Sequence, residues 1–202
     1  MPSDAQRWNE RYRSEECLPG GDPAPFLREV LPLLPRGRAL DLATGAGRNA
    51  IFLAANGWRV TGIDYSRMAL EKAAALAHRR GIRVECPGTP PRELSPKLPG
   101  LLLLEADLES STLPATQFEL VLCFNYLERR LFAAIERALK PHGTLVYETY
   151  TVEQLAFAHG PRNPEHLLHP NELRQAFPSV EVLFYRELRA GKGIASLLAR
   201  KP

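Results

Sequence analysis

Asp41 closes a short apolar run, and Asp64, Asp107 and Asn125 each follow another. Just beyond Asp41 comes Gly45-Ala-Gly47-Arg-Asn-Ala50. Glycines between a strand and a helix allow a tight turn and let a ligand approach the backbone closely. The spacing fits G-x-G-x-x-G/A, the turn that seats a dinucleotide pyrophosphate, and Asp64 lies near the place of a ribose-binding acid. Asp41 suits that ligand poorly. A carboxylate set against the turn repels a diphosphate and attracts a molecule carrying a sulfonium and an ammonium group. Three acids and an amide around one crevice suit a ligand rich in donors: an amino group, ribose hydroxyls and an exocyclic amine. Taken alone, the turn leaves both ligand classes open.

The elements that must hold these groups alternate. Residues 3–13 and 24–34 read as helices, the second despite Pro32. Residues 39–42 read as a short strand, 49–56 as a helix that Gly57 ends, and 58–64 as a strand. Ser66 is a natural N-cap for a helix over 67–80, closed by Gly81. Residues 86–100 carry five prolines and read as a surface insertion, with the third strand at 101–105. FELVLCF at 118–124 is a continuous apolar run with one charge, as in a strand buried on both faces. Leu127, Leu131, Ile135 and Leu139 mark one face of a helix that Pro141 and Gly143 stop, and a strand follows at 144–150. A short helix over 171–177 precedes VEVLFYREL and IASLLARK, two strands close enough to pair only antiparallel. The expected fold is α/β: a doubly wound, mostly parallel seven-stranded sheet with helices on both faces and a C-terminal antiparallel β-hairpin. The strand ends then line one crevice.

The 202 residues are 45% hydrophobic, enough for one well-formed core, and the whole of 1–202 reads as a single domain. The net charge of +3 comes from scattered Lys and Arg, so nucleic acid is not an expected partner. Cys17, Cys86 and Cys123 form no C-x-x-C pair; reduced thiols are expected, with neither disulfide nor zinc. The N-terminus lacks an apolar signal region, and the longest aliphatic run, Leu101 to Leu104, cannot span a bilayer. A cytoplasmic protein is expected.

Several segments together carry a resemblance: ALDLATGAGRNAIFLA, VTGIDYS, LLEADLE, FELVLCFNYLERRLF, LKPHGTLVYETY and, near the N-terminus, WNERY. They resemble the motifs of class I S-adenosylmethionine-dependent methyltransferases, in the branch that includes the tellurite-resistance methyltransferase-like proteins. The insertion and Ala43-Thr44, in place of the more usual Gly-Cys or Gly-Ala, depart from the family pattern. The resemblance implies that S-adenosylmethionine is the cofactor and S-adenosylhomocysteine the product. It implies that Asp41, Ala43, Gly45 and Gly47 surround the methionine moiety, that Asp64 binds the ribose hydroxyls, and that Tyr65 flanks the adenine. Asp107 accepts from adenine N6 and Leu108 gives a backbone contact. Phe124, Asn125 and Tyr126 line the path to the methyl group. Arg48 either binds the cofactor carboxylate or caps its helix. Residues 1–36 form a helical lid in which Trp8 and Tyr12 either cover the site or simply pack.

Methyl transfer from a sulfonium is an in-line displacement that needs orientation and exclusion of water more than a catalytic triad. The acceptor is expected to be a small molecule held by loops after the fourth and fifth strands. Tyr126, Arg129, Arg130, Tyr150, His159, Arg162 and His166 are the candidates, with Tyr126, His159 and Arg162 as catalytic choices. The spacing of His159, His166 and His169 is not a zinc pattern, so no metal is expected. Two other functions stay open: an NAD(P)-dependent oxidoreductase on a Rossmann domain, and a non-catalytic cofactor-binding subunit.

Overall fold

Eight strands form one sheet, in the order β3-β4-β2-β1-β5-β6-β8-β7. The computed structural model describes residues 4–13, 21–86 and 99–202. The strands are β1 Arg38–Leu42, β2 Arg59–Asp64, β3 Val84–Glu85, β4 Gly100–Glu105, β5 Phe118–Phe124, β6 Leu139–Tyr150, β7 Glu181–Leu188 and β8 Ile194–Arg200. The helices are α1 Asp4–Arg13, α2 Pro25–Val30, α3 Arg48–Ala55, α4 Arg67–Arg79, α5 Phe132–Ala138 and α6 Glu172–Gln175. Pairing is parallel from β3 through β6 and antiparallel across β6, β8 and β7. The expected doubly wound sheet and its terminal hairpin are therefore present. The eighth strand is the two-residue β3, whose partner is β4.

Alternation along β5 explains its unbroken apolar sequence. Leu120, Leu122 and Phe124 join one buried cluster with Phe26, Leu53 and Leu70, from α2, α3 and α4. Val121 and Cys123 join a second cluster on the opposite face, with Ile135 from α5, Leu173 from α6 and Phe177 just beyond α6. A central strand must be apolar on both sides, since each face meets a helix layer. On the second face Phe132, Tyr147 and Phe177 pack as an aromatic trio, with ring centroids 5.0–6.2 Å apart.

Four boundaries differ from the sequence reading. Pro32 ends α2 at Val30, and a 3-10 turn over Leu31–Leu33 replaces the expected long helix. Proline has no N–H to donate and crowds the carbonyl four residues back. The helix expected from Leu127 begins with a 3-10 turn at Arg129–Leu131, and only Phe132–Ala138 is α-helical. β6 starts at Leu139 rather than Thr144, because Leu139 pairs with Phe118 before a register shift absorbs the Pro141–Gly143 stretch. The terminal helix shrinks to Glu172–Gln175. Residues 87–98 of the Pro-rich insertion, and Cys17, lie outside the described residues.

Phe177 is almost fully buried at the centre of its aromatic trio. Phe177→Ala should lower stability by roughly 3–5 kcal/mol, the cost of an aromatic-to-alanine cavity. Urea denaturation checks this; an unchanged midpoint would mean the second core is not packed as described.

Candidate active site

The chain leaves β1 through a turn with three left-handed residues in five: Ala43 at φ 52°, Gly45 at 56° and Gly47 at 78°. Glycine adopts this region freely, while Ala43 does so against its own Cβ, a departure found mostly where surroundings impose it. The Gly47 amide donates to the Thr44 carbonyl at 3.0 Å, and the Thr44 amide donates to Ile63 of β2 at 2.9 Å. A Cβ on Gly47 would lie 2.8 Å from the Ala73 methyl, so glycine here lets α3 seat against α4. A Cβ on Gly45 would lie 2.6 Å from the Tyr12 hydroxyl. Helix α1 therefore reaches the glycine turn itself.

Asp41 and Asp64 flank this turn, and both are buried. Asp41 Oδ2 accepts from the Thr44 hydroxyl at 2.7 Å. Burial pushes its carboxyl up to about 7, while Thr44 and the charge of Arg48 pull the other way and Asp64 adds to the rise. Asp64 uses both oxygens: Oδ2 accepts from the Gly45 amide at 2.8 Å and Oδ1 from the Ser66 amide at 2.9 Å. Burial raises its pKa as well, against the pull of these amides. The first glycine's N–H, which a pyrophosphate would need, already faces a carboxylate.

Register brings further groups to the same rim. Leu42 pairs with Ile63 on one side and Cys123 on the other. The next level of the sheet holds Asp64 opposite Glu105, then Phe124 opposite Glu148, and Glu148 opposite Ser196. Glu148 is buried, and its carboxylate accepts from the Ser196 hydroxyl at 2.6 Å. Neither residue stands out in the sequence. Glu148 sits inside TLVYETY, which the sequence marks only as a strand, and its partner is 48 positions away.

The other expected site residues fall as follows. Phe124 and Leu108 are buried, Tyr65 and Arg48 are partly buried, and Trp8 is exposed. Asn125 leaves β5 at φ 58°, exposed, with its amide donating to the Glu148 carbonyl at 2.8 Å. Asp107 is exposed, and both its oxygens serve its own turn: one accepts from the Glu109 amide at 2.9 Å, the other from the Ser110 hydroxyl at 3.1 Å. The Tyr126 phenol is held well above the usual range, first by burial and then by nearby Cys123, Glu109, Glu128 and Asp107. It stays a neutral donor at neutral pH. Burial likewise pushes the Cys123 thiol up to about 12, which leaves it a packing residue.

The arginines near the mouth already have partners. Arg129 donates to both carboxylate oxygens of Glu172 and to the carbonyls of Glu165 and Leu167 at 2.6–3.0 Å. Arg130 pairs with Glu128 and Glu109. Arg162 donates to the carbonyls of Phe157 and Leu155, within its own loop. His159 is exposed, and its carbonyl accepts from the buried Gln154 amide. Tyr150 is partly buried and His166 exposed. Together these contacts tie the loops after β4, β5 and β6 to one another, a framework of links across 21 to 43 residues that sequence spacing does not reveal. Among the described residues no group of His, Cys, Asp and Glu could hold a metal.

Residues 40–147 match the family model described as methyltransferase domain. The chain belongs to the methyltransferase domain family. The class I S-adenosylmethionine-dependent methyltransferases expected from the motifs are the family found, and S-adenosylmethionine is its cofactor. The chain is 32% identical over 130 residues to YqeM of Bacillus subtilis, a protein assigned provisionally to the methyltransferases, covering 60% of this chain and 45% of YqeM. The chain spans about half the length of the curated relatives it matches. Among solved structures it is similar to TehB from Haemophilus influenzae, with a TM-score of 0.70 at 15% identity over 93% of this chain and 65% of TehB. It is also similar to an S-adenosylmethionine-dependent methyltransferase from Mesorhizobium loti, with a TM-score of 0.65 at 21% identity over 88% of this chain and 96% of that one. Both likenesses are of fold.

The residues present fit the cofactor. Asp41 is a buried acid whose charged form lacks a full counterion, and a ligand ammonium or sulfonium would supply one. At Gly45 a side chain would collide with the Tyr12 hydroxyl, so glycine keeps the backbone bare where α1 meets the turn.

Asp41 has a folded pKa raised above the ordinary carboxylate range, so its cost to folding is absent at pH 4 and below. The cost grows as pH climbs from about 4 and is complete above about 7. Asp41→Asn should therefore gain stability relative to the unaltered chain as pH rises from 4 to 8, by on the order of a few kcal/mol. Thermal melts across this range test it; a difference independent of pH would contradict the buried acid.

Proposed function

We propose that this methyltransferase moves the methyl group of S-adenosylmethionine to a small-molecule acceptor by in-line transfer. The observation that carries the reading is Asp64 on the Gly45 amide, with Asp41 beside it. Two acids at the glycine turn favour a cationic nucleoside and disfavour a diphosphate. They count against the NAD(P)-dependent oxidoreductase. WNERY supports the tellurite-resistance-like branch.

When bound, S-adenosylmethionine supplies a methyl group on a cationic sulfur, an already activated donor. The chain's residues do the rest. Asp41 faces the amino-acid end, together with Ala43, Gly45, Gly47 and Arg48. Asp64, a carboxylate with about four lone-pair sites, can still accept from a ribose hydroxyl beyond the Gly45, Ser66 and Tyr65 amides. Tyr65 and Leu108 flank the base, and Asp107 fixes the turn that presents Leu108. Phe124, Asn125 and Tyr126 form the wall towards the acceptor, and Tyr126, as a neutral phenol, donates a hydrogen bond rather than removing a proton. Glu148 with Ser196 adds a buried carboxylate to that side. His159 and Arg162 belong to the acceptor loop, Arg162 by holding its backbone in shape and His159 as an exposed proton carrier at the entrance. Loops tied together around the mouth suit a small acceptor better than a polymer.

Calorimetric titration with S-adenosylhomocysteine should show binding, and with NADH none; the reverse result removes the reading. Asp64→Ala should weaken S-adenosylhomocysteine by about tenfold or more, because buried donors then lose their acceptor. Affinity should also rise as pH passes upward through about 7, since a cationic ligand binds the ionised form of Asp41. Affinity that falls over this interval would show that Asp41 meets no positive charge.

A further inference from the structure

We infer that Asn9 is a positioning residue that latches helix α1 across the cofactor crevice and thereby sets how fast the cofactor leaves; this rests on the cofactor reading above.

Asn9 Oδ1 accepts from the Ser66 hydroxyl at 2.7 Å and from the Met68 amide at 3.3 Å. Met68 lies in the first turn of α4, where amides have no partner within the helix. Ser66 caps the same turn by accepting from the Ala69 amide at 3.2 Å. Asn9 is thus a second cap for α4, supplied from a distant helix rather than from the chain just before it.

The contact continues into the site. The Ser66 amide donates to Asp64 Oδ1, and Asp64 Oδ2 accepts from the Gly45 amide. A line of hydrogen bonds therefore runs from α1 through Ser66 and Asp64 to the glycine turn. Tyr12 lies three residues beyond Asn9, on the same face of α1, and its hydroxyl lies where a Gly45 Cβ would meet it at 2.6 Å. The Trp8 ring stands 6.0 Å from that of Tyr12. Asn9 fixes the position of the helix, and Tyr12 is the group that position delivers to the site.

Departure of a ligand held between the glycine turn and α1 requires the helix to lift. Lifting breaks both Asn9 bonds, whereas entry before the helix docks does not involve them. The latch belongs to the dissociation rate. The α4 amide it caps can return to water, so its loss leaves the core intact.

The test uses the full chain, S-adenosylhomocysteine as the probe, and stopped-flow tryptophan fluorescence together with tryptic cleavage after Arg13. Asn9→Ala should speed dissociation about tenfold, in keeping with two ordinary hydrogen bonds, with association changed less than about twofold. Asn9→Asp keeps an acceptor oxygen and should dissociate no faster than the unaltered chain. S-adenosylhomocysteine should slow cleavage in the unaltered chain and in Asn9→Asp, and not in Asn9→Ala. If Asn9→Ala does not fold, Asn9→Gln displaces the same amide by one methylene and should also release the ligand faster. Equal dissociation rates in Asn9→Ala, or an Asn9→Asp as fast as Asn9→Ala, would overturn the latch while leaving the cofactor reading intact. Absence of S-adenosylhomocysteine binding by the unaltered chain would instead remove the cofactor reading, and the latch with it.

Discussion

One carboxylate organises the crevice. Asp64 ends β2, takes the Gly45 amide from the turn after β1 and takes the Ser66 amide from the start of α4. Two loops from different βα units are joined through a single side chain. Without it, a turn with three left-handed residues would keep its Thr44–Gly47 bond, its link to Ile63 and the Thr44 hydroxyl on Asp41, but would lose its tie to the start of α4. A buried acid is costly to ionise, and this one is stabilised by the Ser66, Gly45 and Tyr65 amides pointing at it. The same arrangement gives the site its sign. Amides that elsewhere greet a phosphate here greet an acid that belongs to the protein.

Much of this was legible in the sequence, for a physical reason. Strand–turn–helix units leave local marks: an apolar run, glycines, a cap such as Ser66. Asp41 and Asp64 could be singled out because each stands next to such a mark. Long-range ties leave no such trace. Glu148 meets Ser196, Arg129 meets Glu172 and Asn9 meets Ser66 across 43 to 57 residues, and each partner looks like an ordinary polar residue in its own segment. Arg129 and Arg162 illustrate the same point from the other side. Their charge suggested a ligand, yet each guanidinium has several donors and finds carbonyls or a carboxylate close at hand. The shortened α2 was local and still misjudged: periodicity suggested continuity, but Pro32 decided the outcome.

The two faces of the sheet divide the work. One carries α2, α3 and α4, the glycine turn and the acids Asp41 and Asp64. The other carries the aromatic trio and the short helices α5 and α6. β5 contributes to both cores and ends at Phe124, where the site begins. Its rigidity is therefore shared between stability and the geometry of the rim. Among the described residues no helix is long and apolar enough to cross a membrane.

The order of the last three strands bears on how the chain is made. β8 follows β7 in sequence yet lies between β6 and β7 in the sheet. While the ribosome is still extending the chain, β6 has β5 on one side and an open row of amides and carbonyls on the other, and β7 has no neighbour to join. Leu197 and Ala199, which complete the second core, arrive only with β8. Vectorial synthesis thus leaves an adhesive half-sheet until β8 has emerged, a period in which such a chain is exposed to aggregation.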